Sequence, residues 1–131
     1  MSEDRRRETG ELGEQLAADH LTRRGFRILE RNYRTRWGEL DIVAFDGRTL
    51  VFCEVKTRRA RSGATGLAPR GLTPLDSVGR SKRQQVRKMA GRWLSERRGR
   101  GYAAVLRFDA IGIRLDPADR LVSLDHVEDA F

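Results

Sequence analysis

Residues 38–45 and 50–56, GELDIVAF and LVFCEVK, constrain the fold more than any other stretch. Leu40, Ile42, Val43 and Ala44 in the first, and Val51, Phe52 and Val55 in the second, fall on both faces of a pleated strand. Only a sheet covered on both sides buries such a pattern. Asp46-Gly47 between the two runs is the turn signal of an antiparallel hairpin. Yet the same strands carry Glu39, Asp41, Glu54 and Lys56. Carboxylates in a covered sheet are unfavourable unless something compensates them.

The flanking sequence supplies the cover. From Glu11 a helical stripe of Leu12, Leu16, Ala17, His20 and Leu21 leads to a stop at Gly25. Phe26–Tyr33 reads as a strand. Ser81 with Gln84 fits a capping box, and Val86, Met89, Ala90, Trp93 and Leu94 form a second helical stripe ending at Gly99 and Gly101. Ala103–Ile113 and, after the Pro117 turn, Leu121–Val127 complete the strands. The order αβββαββ predicts an α/β or α+β domain around one central mixed sheet. A length of 131 residues suits a single domain, here 10–131, with 1–9 expected to fray. Gly63, Gly66, Pro69, Gly71 and Pro74 mark a mobile loop near 58–79.

Charge narrows the partners. Lys and Arg number 27 against 19 acids, a net of +8. Residues 56–100 hold 14 of the basic residues and only Asp76 and Glu96 as acids, so this third alone carries +12. A basic region with helical apolar periodicity is more than a solubilising tail, and nucleic acid is the polyanion it suits. Arg58, Arg59, Arg61, Lys82, Arg83 and Arg87 are its candidate phosphate contacts. The single cysteine, Cys53, excludes an internal disulfide, fits a reducing compartment and reads as a small buried hydrophobe. One Cys with His20 and His126 cannot build a structural zinc site. No apolar run is long enough to span a bilayer and no signal peptide is apparent, so a soluble cytoplasmic protein without membrane contact is expected.

The turn length decides how the hairpin charges meet. A two-residue loop sets Glu39 opposite Glu54, whereas a four-residue loop sets Asp41 opposite Glu54 and Glu39 opposite Lys56. Either should gather all four charges on one face. Three acids and one Lys do not neutralise one another, but a divalent cation held by Asp41 and Glu54 would, and hard oxygen ligands suit Mg²⁺. Lys56 is conspicuous in a chain with 24 Arg and three Lys. Unlike Arg, Lys can give up its proton when desolvated, or sit as a compact charge beside a water or phosphate. A plain cross-strand ion pair from Lys56 to Glu39 or Glu54 explains the same residues. Glu14 lies at the edge of the first helical stripe and can face the sheet, or it is an ordinary helix-flank acid.

Asp41 followed by Glu54-Val55-Lys56 matches the D…ExK core of the PD-(D/E)xK nuclease superfamily. With Gly13-Glu14, RNYR at 31–34, GELDIVA at 38–44, VFCEVKTR at 51–58, the 82–93 helix, RFDAIGI at 107–113 and the final HVEDAF, the chain resembles the YraN-like family of bacterial proteins. That family is similar to archaeal Holliday-junction resolvases, and the resemblance spans residues 10–131. It implies a restriction-endonuclease-like core and a divalent-metal-dependent DNA endonuclease, resolvase-like toward branched DNA, that hydrolyses phosphodiesters with a metal-activated water. The resemblance makes Asp41 and Glu54 ligands of Mg²⁺ or Mn²⁺, with the Val55 carbonyl and, directly or through water, Glu14. Lys56 would position or deprotonate the water, or stabilise the phosphate. Glu39 matches the family's GE-x-D, and Lys82 or Gln85 could supply the polar residue that superfamily members place early in the later helix. A resolvase would work as a two-fold homodimer, which places two equivalent sites. The alternative is a nucleic-acid-binding protein that keeps this fold and does not cut. The 58–79 segment looks longer and more basic than the family pattern.

Three other residues read as structural. Asp109 on an alternating strand is expected to be held by an arginine, His126 to be a satisfied histidine, and Trp37 to cover the hairpin core rather than stack on a base.

Overall fold

The computed structural model describes residues 3–60, 80–97 and 103–131, with the backbone alone for residues 80–82. Seven elements follow in the expected order: α1 (Glu3–Arg23), β1 (Arg27–Thr35), β2 (Gly38–Phe45), β3 (Thr49–Arg59), α2 (Arg80–Glu96), β4 (Val105–Leu115) and β5 (Leu121–Val127). The strands form one mixed α/β sheet in the order β1-β2-β3-β4-β5. All neighbours run antiparallel except β3 and β4. A parallel pair needs a long connection, and α2 lies in it.

The doubly apolar strands are explained by two cores. Val51 and Cys53 of β3 pack with Ala17, Ala18 and Leu21 of α1. Leu50 and Phe52 pack with Val86, Met89, Ala90 and Trp93 of α2. Successive residues of a strand point to opposite faces, so β3 serves both cores at once. Phe52 is fully buried, stacked on Phe108 at 5.5 Å and edge-on to Trp93 at 5.8 Å. Aromatic pairs in such geometry add about 0.5–1.5 kcal/mol each beyond the area they bury.

Several boundaries shift from the sequence reading. α1 starts at Glu3, not Glu11, and so takes in the segment 3–9 that was expected to fray. Glu3 and Asp4 sit in its first turn, where acids complement the helix dipole. Arg5 reaches Asp119 at 3.5 Å, and Thr9 donates to the Arg5 carbonyl at 2.8 Å. β3 runs on to Arg59, taking two residues from the expected loop, because it pairs with β4 as far as Arg59↔Leu115. Residues 61–79 of that loop lie outside the described residues. β4 lies two residues later than expected, and α2 starts at Arg80, which puts Ser81 inside the helix instead of at its cap.

Two close contacts aim the elements. Gly13 of α1 lies so near β3 that an added Cβ would meet Thr57 Oγ1 at 1.8 Å. That approach carries the next residue, Glu14, to the sheet. At the hairpin, Phe45 pairs with Leu50, so the loop has four residues. Asp46 Oδ1 fixes it by accepting from the Arg48 and Thr49 amides at 2.9 and 2.7 Å, and Gly47 takes φ 99°. The Asp-Gly pair therefore builds a side-chain-closed turn.

Candidate active site

The four-residue loop selects one of the two registers open to the sequence. The β2–β3 ladder ends at Ile42↔Cys53, which leaves Asp41 facing Glu54 at the next position. There the side chain replaces the ladder: the Val55 amide donates to Asp41 Oδ2 at 2.7 Å. Across β1, Asp41 faces Asn32, flanked by the pairs Arg31↔Ile42 and Tyr33↔Leu40. Asn32 holds φ 54°. Asp41 thus stands where both neighbouring ladders are interrupted.

Strand alternation slips at the same point. Ile42 and Ala44 belong to the α1-side core, whereas Leu40 joins Val43 in the α2-side core. A regular strand would put Leu40 and Ile42 on one face. The expectation that all four charges share a face is therefore corrected. Glu39 comes round to Glu14 of α1, while Glu54 and Lys56 alternate with Cys53 and Val55 and so take the opposite side. The interruption at Asn32 and Asp41 lets acids from both sides meet.

Their charges interact strongly. Burial, then the charge of Glu54, pushes the Asp41 carboxyl up to about 8, against the pull of the Val55 amide; Glu14 and Glu39 add to the rise. Glu14 is raised too, by burial first and then Glu39, with Arg31 opposing. Glu54 is buried at 6 % exposure. Glu39 takes Arg34 at 3.8 Å. Lys56 is half-buried and, among the described residues, makes no ion pair with Glu39, whose partner is Arg34.

Asp41, Glu54, Glu14 and Glu39 offer hard oxygen donors, the ligand chemistry that suits Mg²⁺ or Mn²⁺. Among the described residues no three His, Cys, Asp or Glu side chains converge as ligands for one ion. Mg²⁺ needs only one or two carboxylates because it keeps several waters, so the donor set fits it.

The other candidates divide. Arg58 and Arg83 are exposed. Arg59 is not available as a phosphate contact: its side chain is 9 % exposed and it donates to Asp119 at 2.9 Å. Arg87 donates to the Phe131 carbonyl at 2.9 Å and lies 4.9 Å over the Phe108 ring, a packing role. Gln85 is exposed on α2 and has no described bond to the four acids. Arg61 and the Lys82 side chain lie outside the described residues.

The structural expectations hold. Asp109 is fully buried and gripped by Arg107 at 2.9 Å, and His126 Nε2 lies 2.7 Å from its other oxygen. His126 Nδ1 faces His20 Nε2 at 3.0 Å. Trp37 packs on the α2-side core under the Arg36 guanidinium. Cys53 is buried, and burial pushes its thiol well up, as befits an inert hydrophobe. Sequence reasoning missed Asn32, although an Asn within a strand run is a signal, since Asn is depleted in strands and tolerates left-handed φ.

Comparison with known proteins agrees with the resemblance read from the motifs. Residues 13–113 match the model of a family described as "Uncharacterised protein family UPF0102". A UPF0102 protein of Geotalea daltonii is 43% identical over 122 residues, covering 93% of this chain and 87% of the relative. One from Syntrophus aciditrophicus is 44% identical over 123 residues, covering 94% and 87%. UPF0102 protein Rv2898c of Mycobacterium tuberculosis is 45% identical over 123 residues, covering 91% and 88%. Among the described residues no helix is long and apolar enough to cross a membrane.

Proposed function

This chain belongs to the UPF0102 family, and we propose that it is a divalent-metal-dependent DNA endonuclease with a PD-(D/E)xK core, acting on branched DNA in the cytoplasm. The observation that carries the reading is the facing pair Asp41 and Glu54, one with its carboxyl pushed up to about 8, with Lys56 half-buried two residues along the strand.

In this reading Asp41, Glu54 and the Val55 carbonyl hold the cation, and Glu14 supports its water shell. Bound Mg²⁺ or Mn²⁺ would supply Lewis-acid activation of the attacking water and neutralise charge on the phosphate. Lys56 orients or deprotonates that water, or stabilises the phosphate. Arg58 and Arg83 hold the DNA backbone with little sequence preference, since phosphate contacts position without specifying. A two-fold homodimer would place two such sites for paired cuts.

A second reading is a nucleic-acid-binding protein that keeps this fold and does not cut. Calorimetric titration of Mg²⁺ or Mn²⁺ into wild type and Asp41→Asn, followed by incubation of each with branched and linear DNA, separates the two. Metal binding lost in the variant, with metal-dependent cutting by wild type alone, supports the nuclease. Equal heats and no cutting by either would leave the binding protein.

A further inference from the structure

Asn32 stands mid-strand in β1, an unfavourable place for an amide. Its φ of 54° lies in the left-handed region, which Asn adopts more readily than most residues. With its amide nitrogen toward the acids, the orientation that satisfies both ends of the group, it donates to Glu39 Oε1 and to Glu14 Oε1, each at 2.6 Å. Glu14 Oε2 is 3.1 Å from the same nitrogen. The amide has two protons, one for each carboxylate.

The choice of a neutral donor matters. Two carboxylates from different elements repel, and an Arg or Lys between them would cancel their charge. An amide bridges both without bringing a counter-charge of its own. We infer that Asn32 is a positioning residue of the acid site: it joins Glu14 of α1 to Glu39 of β2 at the strand position that faces Asp41. Without it, Glu14 is free to swing toward Arg31, which already attracts it. The functional part of this inference rests on the metal-dependent reading above, while the contact itself does not.

The test has two arms. In the first, the side-chain amide resonances of Asn32 are followed by ¹H–¹⁵N NMR in metal-free wild type and Glu14→Gln. Both protons should lie away from the position of a free amide, and Glu14→Gln should move one of them. In the second, Mn²⁺ affinity is measured by electron paramagnetic resonance in wild type, Asn32→Gly, Glu14→Gln and the double variant. Glycine accepts the left-handed φ without strain. Each single change should weaken Mn²⁺ binding about 10–100-fold, as loss of a group supporting metal ligands does. The double should lose less than the product of the two, because both act through Glu14. Ordinary amide positions that ignore Glu14→Gln, or losses that simply multiply, would overturn the inference. If wild type bound no Mn²⁺, the metal-dependent reading would fall, and the amide resonances alone would then support or overturn the contact.

Discussion

Replacing Asp41 with Asn should stabilise the metal-free protein, the reverse of what most substitutions in a well-packed sheet do. The Asp41 carboxyl rises from an ordinary 3.8 to about 8. A carboxyl raised on folding keeps its proton in the native state while the unfolded chain releases it, so stability falls as pH climbs between those two values. At pH 7 nearly all of the interval below neutrality counts, which sets a ceiling of about 4 kcal/mol. The ceiling is shared with Glu54, whose charge is the second cause of the rise, and Glu14 and Glu39 contribute further. Asn can still accept the Val55 amide and can donate to Glu54. A net gain of about 1–3 kcal/mol is expected, roughly 4–12 °C in Tm for a domain of this size. Thermal melts of both proteins in chelator, from pH 4 to 8, should show the curves converging at the acid end. Saturating Mg²⁺ should reverse the order, since a ligand at 100 times its Kd adds about 2.7 kcal/mol to the protein that binds it. Asn destabilising the metal-free protein at pH 7, or Mg²⁺ raising both melting points equally, would refute the reasoning.

Lys56→Ala should leave DNA retention in gel shifts unchanged and lower metal-dependent cutting by about 10²–10⁴-fold, the range for a positioned proton-transfer group. In Gly13→Ala the new methyl would sit 1.8 Å from Thr57 Oγ1. Denaturant melts should show about 1–3 kcal/mol lost to overpacking, partly restored by Thr57→Ala. His126→Ala removes a hydrogen bond from the fully buried Asp109 and should destabilise by about 1–3 kcal/mol in the same assay. Burial alone would raise the Asp109 carboxyl, but His126, Arg107 and the Asp129 amide outweigh it and hold it low. Its stabilisation is therefore full above the ordinary carboxylate range and is lost as pH falls through the lowered value. Below pH 4, then, the gap between wild type and His126→Ala should close.

The hairpin was the most legible part of the chain. GELDIVAF spans β2 to the residue because its apolar run is bounded by Gly38 and by the Asp46 turn. The two helical stripes predicted both cores for the same reason, since periodicity reports burial, although Leu94 of the second stripe is exposed. Asp41 and Glu54 were legible as a pair once an even loop was assumed. Less legible was what long-range contacts decide. Arg59 and Arg87 looked like free cations by composition, yet one is taken by Asp119 and the other by the Phe131 carbonyl, 60 and 44 residues away. The face on which Glu39 lies could not be read from alternation, because alternation lapses at Asp41. Asn32 escaped notice because its role comes from a backbone conformation and a helix brought in from elsewhere.

One bond in the sheet has a consequence for observing the protein at work. The Val55 amide lies on a central strand, where hydrogen exchange should be slow, but its acceptor is the Asp41 carboxylate and not a backbone carbonyl of a neighbouring strand. Its exchange rate and chemical shift should therefore follow whatever happens to that carboxylate. The peptide unit on the other side of Val55 presents the carbonyl proposed to meet the cation. In the proposed metal-bound protein a single residue would be wired at both ends to the acid cluster, and its backbone resonances would offer a native sensor of the site that needs no label, substrate or turnover.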